Sequence, residues 1–73
     1  MAADAPSRSL LTPRQSECLA LVREGLSSPE IGRRLGLSPH TVNEHVKDAC
    51  ARLGVRSRAQ AVAEAAKRGL IAL

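Results

Sequence analysis

Four polar residues, His40, Asn43, Glu44 and Lys47, carry side chains that can donate or accept hydrogen bonds at nucleic-acid base edges. At 100° per residue they share one face of a helix predicted over about 39–53, which would be about 22 Å long and could lie in a major groove. The Asn43 amide could bind adenine N6 and N7, the Lys47 ammonium could donate to guanine O6 and N7, and the Glu44 carboxylate could accept from cytosine N4. These residues therefore predict base recognition by hydrogen bonding.

The helix that positions them has clear start and stop signals. Ser38 can accept from the first free backbone N–H groups, Pro39 suits the first helical position, and Gly54 can adopt the left-handed conformation that ends a helix. The face expected to pack on the core consists of Val42, Val46, Ala49, Cys50 and Leu53. The opposite face consists of His40, Asn43, Glu44, Lys47 and Ala51.

A short helix over 29–35 is predicted just before this one, separated from it by a turn over 36–38. Two capped helices around a glycine turn form a helix-turn-helix pattern, although such a pair also occurs in small helical domains of other functions. Gly32 costs about 1 kcal/mol relative to Ala inside a helix, so we expect it to allow close approach of the next helix. The cap could be Ser27, through a capping box, or Ser28, directly before a proline; we favour Ser28.

The first and fourth helices are delimited by similar signals. The first is expected to begin after Thr12, which can form a capping box with Gln15, and to stop at Gly25. The fourth is expected over about 58–68, after a capping box that starts at Ser57. It is rich in Ala, so a second helix could pack closely against it.

Length and composition predict one all-α domain. The chain has 73 residues and no Phe, Tyr or Trp, so its core must be thin and aliphatic. We expect a disordered tail over 1–9 and a compact four-helix domain over 10–73, either free-standing or the output domain of a larger protein. The lack of aromatic residues argues against binding of single-stranded nucleic acid, which depends on stacking.

The positive charge is concentrated in the middle of the chain. Residues 1–32 carry three basic and four acidic groups, a net charge of −1, whereas residues 33–58 carry six basic and two acidic groups, a net charge of +4. Residues 59–73 add two basic groups and one acidic group, which gives the total of +4. A focused basic region is typical of proteins that bind a polyanion.

Several other classes of function are not supported. Cys18 and Cys50 are expected to be small buried hydrophobes rather than a disulfide or metal ligands, because no Cys/His spacing fits a metal site. No nucleophile–base pairing, phosphate-binding loop, cofactor motif, membrane span or secretory signal is visible. We therefore expect a cytoplasmic protein that is not an enzyme and that needs no cofactor.

The run from Leu11 to Ile71 resembles the LuxR-type, also called GerE-like or FixJ-like, DNA-binding domain. The matching segments occur in order and without gaps along more than four-fifths of the chain. They are Leu11-Thr12-Pro13-Arg14, Glu24-Gly25-Leu26-Ser27, Glu30-Ile31, Arg33-Arg34-Leu35-Gly36-Leu37-Ser38, Thr41-Val42, His45-Val46, Leu53-Gly54-Val55, Ser57-Arg58, Ala61-Val62 and Gly69-Leu70-Ile71.

The resemblance implies a transcription regulator that binds double-stranded DNA as a homodimer, and RNA polymerase could be a further partner. It implies that the third helix enters the major groove, with Asn43, Glu44 and Lys47 towards the bases, and that the fourth helix supplies the dimer contact. Expected backbone contacts are Arg33, Arg34, Ser38, His40, Thr41, His45, Arg52 and Arg56. Expected dimer contacts are Ala59, Val62, Ala63 and Ala66. Many members carry Lys or Arg at position 43, so Asn43 departs from that pattern.

Alternatives stay open for several of these residues. Glu44 could be an ordinary exposed residue that pairs with Lys47 at i,i+3, and His45 could be a half-buried structural residue. The two arginines at 33–34 could simply solvate the end of their helix. The whole domain could instead be a protein-interaction module that docks on a regulator or polymerase, a reading that Glu44 and Asp48 favour.

Overall fold

A computed structural model describes residues 10–72. The tail expected over residues 1–9 lies outside this part of the chain, as does Leu73. The described residues form four helices and no strand, which confirms the all-α prediction. The helices are α1 (Pro13–Arg23), α2 (Ser28–Leu35), α3 (Pro39–Leu53) and α4 (Arg58–Lys67).

Three of the four predicted helix starts are confirmed. In each, a side-chain oxygen accepts from the backbone N–H three residues further on, which satisfies one of the free donors of the first turn. The caps are Thr12, Ser38 and Ser57, with N···O distances of 3.1, 3.0 and 3.1 Å. The C-terminal ends of the helices lie close to the predicted positions. The fourth helix differs slightly, since it ends at Lys67 and Arg68 is its C-cap rather than its last residue.

The preference for Ser28 as the cap of α2 is wrong. Ser27 is the cap, because its Oγ accepts from the Glu30 N–H at 3.3 Å while Glu30 Oε1 accepts from the Ser27 N–H at 2.8 Å. Pro29 therefore occupies the second helical position, where its missing N–H is harmless, since the first four N–H groups of a helix have no intrahelical partner. Ser28 becomes the first helical residue, and its hydroxyl can reach a neighbouring helix.

Helix α3 forms the centre of the domain and contacts each of the other three helices. Its buried residues are Val42, Val46, Ala49 and Leu53. They join a core completed by Leu11, Cys18, Leu19, Ile31, Ala61, Ala65 and Ile71. Because one whole side of α3 is fixed in this core, the direction of its opposite side is fixed as well.

The two cysteines differ from each other more than the sequence suggests. Both are free thiols, as expected, but only Cys18 is fully buried, whereas Cys50 is half-buried at the edge of the core. Burial raises the pKa of both thiols, which favours their protonated form. Cys50 lies on the boundary of the apolar face of α3, where a helical wheel does not separate core from flank.

Candidate nucleic-acid interface

The outward side of α3 carries a continuous row of exposed polar residues. Asn43, Glu44 and Lys47 are all exposed, while Val42 and Val46 beside them are buried. The sequence prediction that these three residues share a solvent-facing side is therefore confirmed. An exposed polar stripe on a 15-residue helix is a surface that a major groove can accommodate.

Glu44 and Lys47 do not pair with each other. Within residues 10–72, the ion pairs join Arg14 to Glu17 at 3.2 Å and Arg68 to Glu64 at 2.7 Å, both away from α3. The alternative in which Glu44 forms an i,i+3 pair with Lys47 is thus not seen in the structure. Both side chains are left available for an external partner.

The residues expected at a DNA backbone lie around α3 rather than in one line. Arg33 and Arg34 are exposed in the last turn of α2, and His40 is exposed in the first turn of α3. Thr41 and His45 are half-buried on the flank of α3, so a structural role for His45 and a role at a DNA backbone remain compatible.

Ser38 has an additional role that the sequence does not reveal. Besides capping α3, its hydroxyl donates to the Thr41 hydroxyl at 3.0 Å. The two hydroxyls thus form a small hydrogen-bonded unit at the start of α3. The Thr41 hydroxyl keeps its own proton, which can be donated to an external acceptor such as a phosphate oxygen.

Arg52 is engaged inside the molecule. Its Nη1 donates to the backbone carbonyl of Leu10 at 3.2 Å, so the guanidinium links the end of α3 to the chain before α1. Leu10 and Arg52 are 42 residues apart, and no sequence pattern predicts this contact. The free arginine expected to contact a phosphate here is therefore partly committed to the fold.

Asn43 is also bound to other helices. Its Oδ1 accepts from the Ser28 hydroxyl at the start of α2 and from Nη2 of Arg58, the first residue of α4, at 3.2 Å. The same Nη2 lies 3.4 Å from Ser28 Oγ. Sequence reasoning missed Ser28 and Arg58 as neighbours of this residue, because the contact depends on how three helices meet.

The outer side of α4 carries the small residues expected at a dimer contact. Ala59 and Ala63 are exposed and Val62 and Ala66 are half-buried, whereas the intervening Ala61 and Ala65 belong to the core. An apolar surface with such short side chains lets a second backbone approach closely.

The described part of the chain carries no group of three or more His, Cys, Asp and Glu side chains arranged to hold a metal ion. None of its helices is long and apolar enough to cross a membrane.

Comparison with known proteins agrees with this geometry. Residues 9–65 match the sequence profile of the GerE domain, described as bacterial regulatory proteins of the luxR family. The chain belongs to the luxR family. Its fold is similar to the solved structure of the transcription factor GerE, with a TM-score of 0.84 and 35% identity over 89% of this chain and 97% of that one.

Relatives of this luxR-family domain include proteins of very different length. The spore germination protein GerE of Bacillus subtilis is 37% identical, and the match covers 92% of this chain and 90% of that protein. The transcriptional activator protein VanR of Vibrio anguillarum is 41% identical, over 93% of this chain but 28% of VanR. A Mycobacterium bovis protein named as an HTH-type transcriptional regulator is 49% identical over 81% of this chain, which spans 7% of that protein.

Proposed function

We propose that this luxR-family domain is a sequence-specific binder of double-stranded DNA that regulates transcription. In this proposal α3 lies in the major groove, and Asn43, Glu44 and Lys47 face the base edges. The observation that carries it is the division of α3 into a buried apolar side and an exposed polar side along its whole length. Donors and acceptors on the exposed side match the chemistry of base edges in the major groove.

The charge distribution supports backbone binding around that groove. The segment 33–58 carries the net +4 and contains both the end of α2 and the whole of α3. We assign phosphate or sugar contacts to Arg33, Arg34, Ser38, His40, Thr41, His45, Arg52 and Arg56. Such contacts fix the register of the protein on DNA and make its affinity strongly dependent on salt.

We further propose that two copies pair through α4 on an inverted repeat. The surface formed by Ala59, Val62, Ala63 and Ala66 is small, so self-association should be weak without DNA. A two-fold protein dimer on DNA requires two half-sites related by the same symmetry. RNA polymerase is a candidate partner of the complete regulator, and the cytoplasm, where a bacterial chromosome lies, is its proposed location.

Titration of duplex DNA at two salt concentrations tests the proposed function. A binder that neutralises phosphates loses affinity steeply as salt rises, because bound counterions are released from the DNA. If six phosphates are contacted, the affinity should fall by about a thousandfold between 50 and 200 mM salt. Absent or salt-insensitive duplex binding would contradict the proposal and favour a module that docks on another protein through Glu44 and Asp48.

A further inference from the structure

Ser28, Asn43 and Arg58 form a polar cluster where the starts of α2 and α4 meet α3. The Ser28 hydroxyl and Arg58 Nη2 both donate to Asn43 Oδ1, and Nη2 also lies 3.4 Å from Ser28 Oγ. The three side chains thus close a triangle of hydrogen bonds next to the proposed base-reading row. Nothing in the core requires this cluster, since Asn43 and Arg58 are exposed.

The cluster determines which way the Asn43 amide faces. A guanidinium can only donate, so the atom of Asn43 that faces Arg58 must be the acceptor Oδ1 and not the amino group. Oδ1 has two lone pairs, and the bonds from Ser28 and Arg58 use both. The Nδ2 amino group is then turned away from the cluster, with its donors available to a partner outside the molecule.

We propose that Ser28 and Arg58 are positioning residues that leave only the amino group of Asn43 available to a base. Asn43 would then select guanine over adenine at the base pair that it contacts. The inference rests on the proposed placement of α3 in the major groove. An amide that binds adenine must accept from N6–H₂ as well as donate to N7, and its acceptor is occupied here. Guanine presents two acceptors, N7 and O6, to which a free amino group can donate.

The hydrogen bonds on Asn43 Oδ1 change the base preference that the sequence alone predicts. Read in isolation, Asn43 favours adenine through a bidentate contact. The bond from Arg58 is assisted by its charge, which makes it stronger than a bond between neutral groups. Binding to adenine would require that bond or the bond from Ser28 to break, whereas binding to guanine leaves both intact.

Selection of duplexes from a random pool, followed by competition between single-base variants of the best site, tests the inference. Asn43→Ala identifies the base pair that Asn43 faces, as the position where preference disappears. In the parent chain this position should select guanine over adenine. In Arg58→Met, and more so in Ser28→Ala/Arg58→Met, the freed Oδ1 should shift the ratio towards adenine by about fivefold or more.

Two further variants distinguish the positioning of Asn43 by Arg58 from the effects of a lost positive charge. A folding control accompanies them. Arg58→Lys retains a donor and should restore the parent ratio, at least in part. Arg56→Met removes the same charge from a neighbouring exposed position, so it should weaken all duplexes while the guanine-to-adenine ratio stays unchanged. The ratio is measured within each variant, and circular dichroism confirms that each variant is folded.

The inference is overturned if the parent selects adenine at this position, or if its ratio is the same in the parent, in Arg58→Met and in the double variant. Either result would leave the proposed function standing, since selective duplex binding would still be observed. A parent chain that selects no duplex at all would overturn the proposed function itself, and this inference with it.

Discussion

The backbones of Gly32 and Leu37 are in direct contact across the turn between α2 and α3. The Leu37 N–H donates to the Gly32 carbonyl at 2.8 Å, and the Leu37 carbonyl oxygen occupies the place where a Cβ on residue 32 would lie. The sequence predicts that Gly32 allows close approach of the next helix. The structure shows that the approaching group is mainly the turn backbone, with the nitrogen of Pro39 3.5 Å from that Cβ position.

We expect Gly32→Ala to destabilise the domain. At an ordinary helix position this change stabilises by up to about 1 kcal/mol. Here the new methyl group would force the Leu37 backbone to move, and such overpacking costs about 1–3 kcal/mol. Urea unfolding should therefore show a net loss of up to about 2 kcal/mol in the free energy of unfolding. Arg33→Ala, an exposed position on the same helix, is the control and should change it by no more than about 0.5 kcal/mol. A stabilised Gly32→Ala variant would contradict the contact.

Glu30 should make stability depend on pH in the acidic range. The hydrogen bond from the Ser27 backbone N–H to its carboxylate, together with the bond to the Ser27 side chain, lowers the pKa of Glu30 in the folded state. Its stabilising contribution is therefore fully present above the ordinary glutamate pKa, about 4.3, and is lost as the pH falls through the lower folded value.

In Glu30→Gln an amide oxygen can still accept from the Ser27 N–H, but the group no longer titrates. The melting temperature of this variant should therefore fall less between pH 5 and acidic pH than that of the parent chain. Thermal melts followed by circular dichroism at several pH values would measure the difference. Parallel pH profiles for the two proteins would show that the capping carboxylate does not contribute.

The helix starts show how far the sequence determines this fold. Thr12, Ser38 and Ser57 could be predicted as caps because each is followed by the right residue at short range. Ser27 and Ser28 could not be separated with the same certainty, since both have a favourable residue after them. The reciprocal bonds with Glu30 make Ser27 the cap. The sequence shows both capping patterns, but it does not show which of the two has the lower energy.

The sequence predicts which side of α3 the residues of the candidate site lie on. It does not predict the hydrogen bonds that these residues form with other parts of the chain. Helical periodicity alone places Asn43 and Lys47 on the side of α3 opposite the core. The bonds from Arg58 to Asn43 and from Arg52 to Leu10 join residues 15 and 42 positions apart. Such contacts depend on the angles at which helices pack, and one sequence without its fold contains no signal for them.

Lys47→Ala should reduce both affinity and selectivity. If Lys47 donates to a guanine edge, its loss should cost about 1–3 kcal/mol on the preferred site and relax the preference at one base pair. Arg34→Ala removes an equal charge from the end of α2 and is the matched control. It should weaken all duplexes about equally and reduce the slope of the salt dependence by about one.

Fluorescence anisotropy on the preferred duplex and on single-base variants would distinguish the two substitutions. If Lys47→Ala weakens every sequence to the same extent, Lys47 contacts only the DNA backbone. If Arg34→Ala instead changes the base preference, the division between α3 as the reader and α2 as the backbone contact is wrong.

Ala63→Glu should disrupt the pairing of two copies through α4 without affecting the binding of one copy to a half-site. Ala63 is exposed at the centre of the outer side of α4, so a carboxylate there would be buried without a partner in the proposed dimer. Binding to a full inverted repeat should lose cooperativity, while binding to an isolated half-site should be little changed. Ala63→Ser, which stays small and uncharged, should retain cooperativity. Equal cooperativity in the parent and in Ala63→Glu would exclude α4 as the pairing surface.

The central claim is that two copies of α3 read bases in an inverted repeat, and selection from a random pool of duplexes tests it most directly. We expect the selected sequence to be palindromic. Its half-sites should contain positions at which the base preference of the parent protein is lost in Asn43→Ala and in Lys47→Ala. If no sequence is enriched, or if neither substitution changes the base preferences at the selected sequence, the claim that α3 contacts the bases is contradicted.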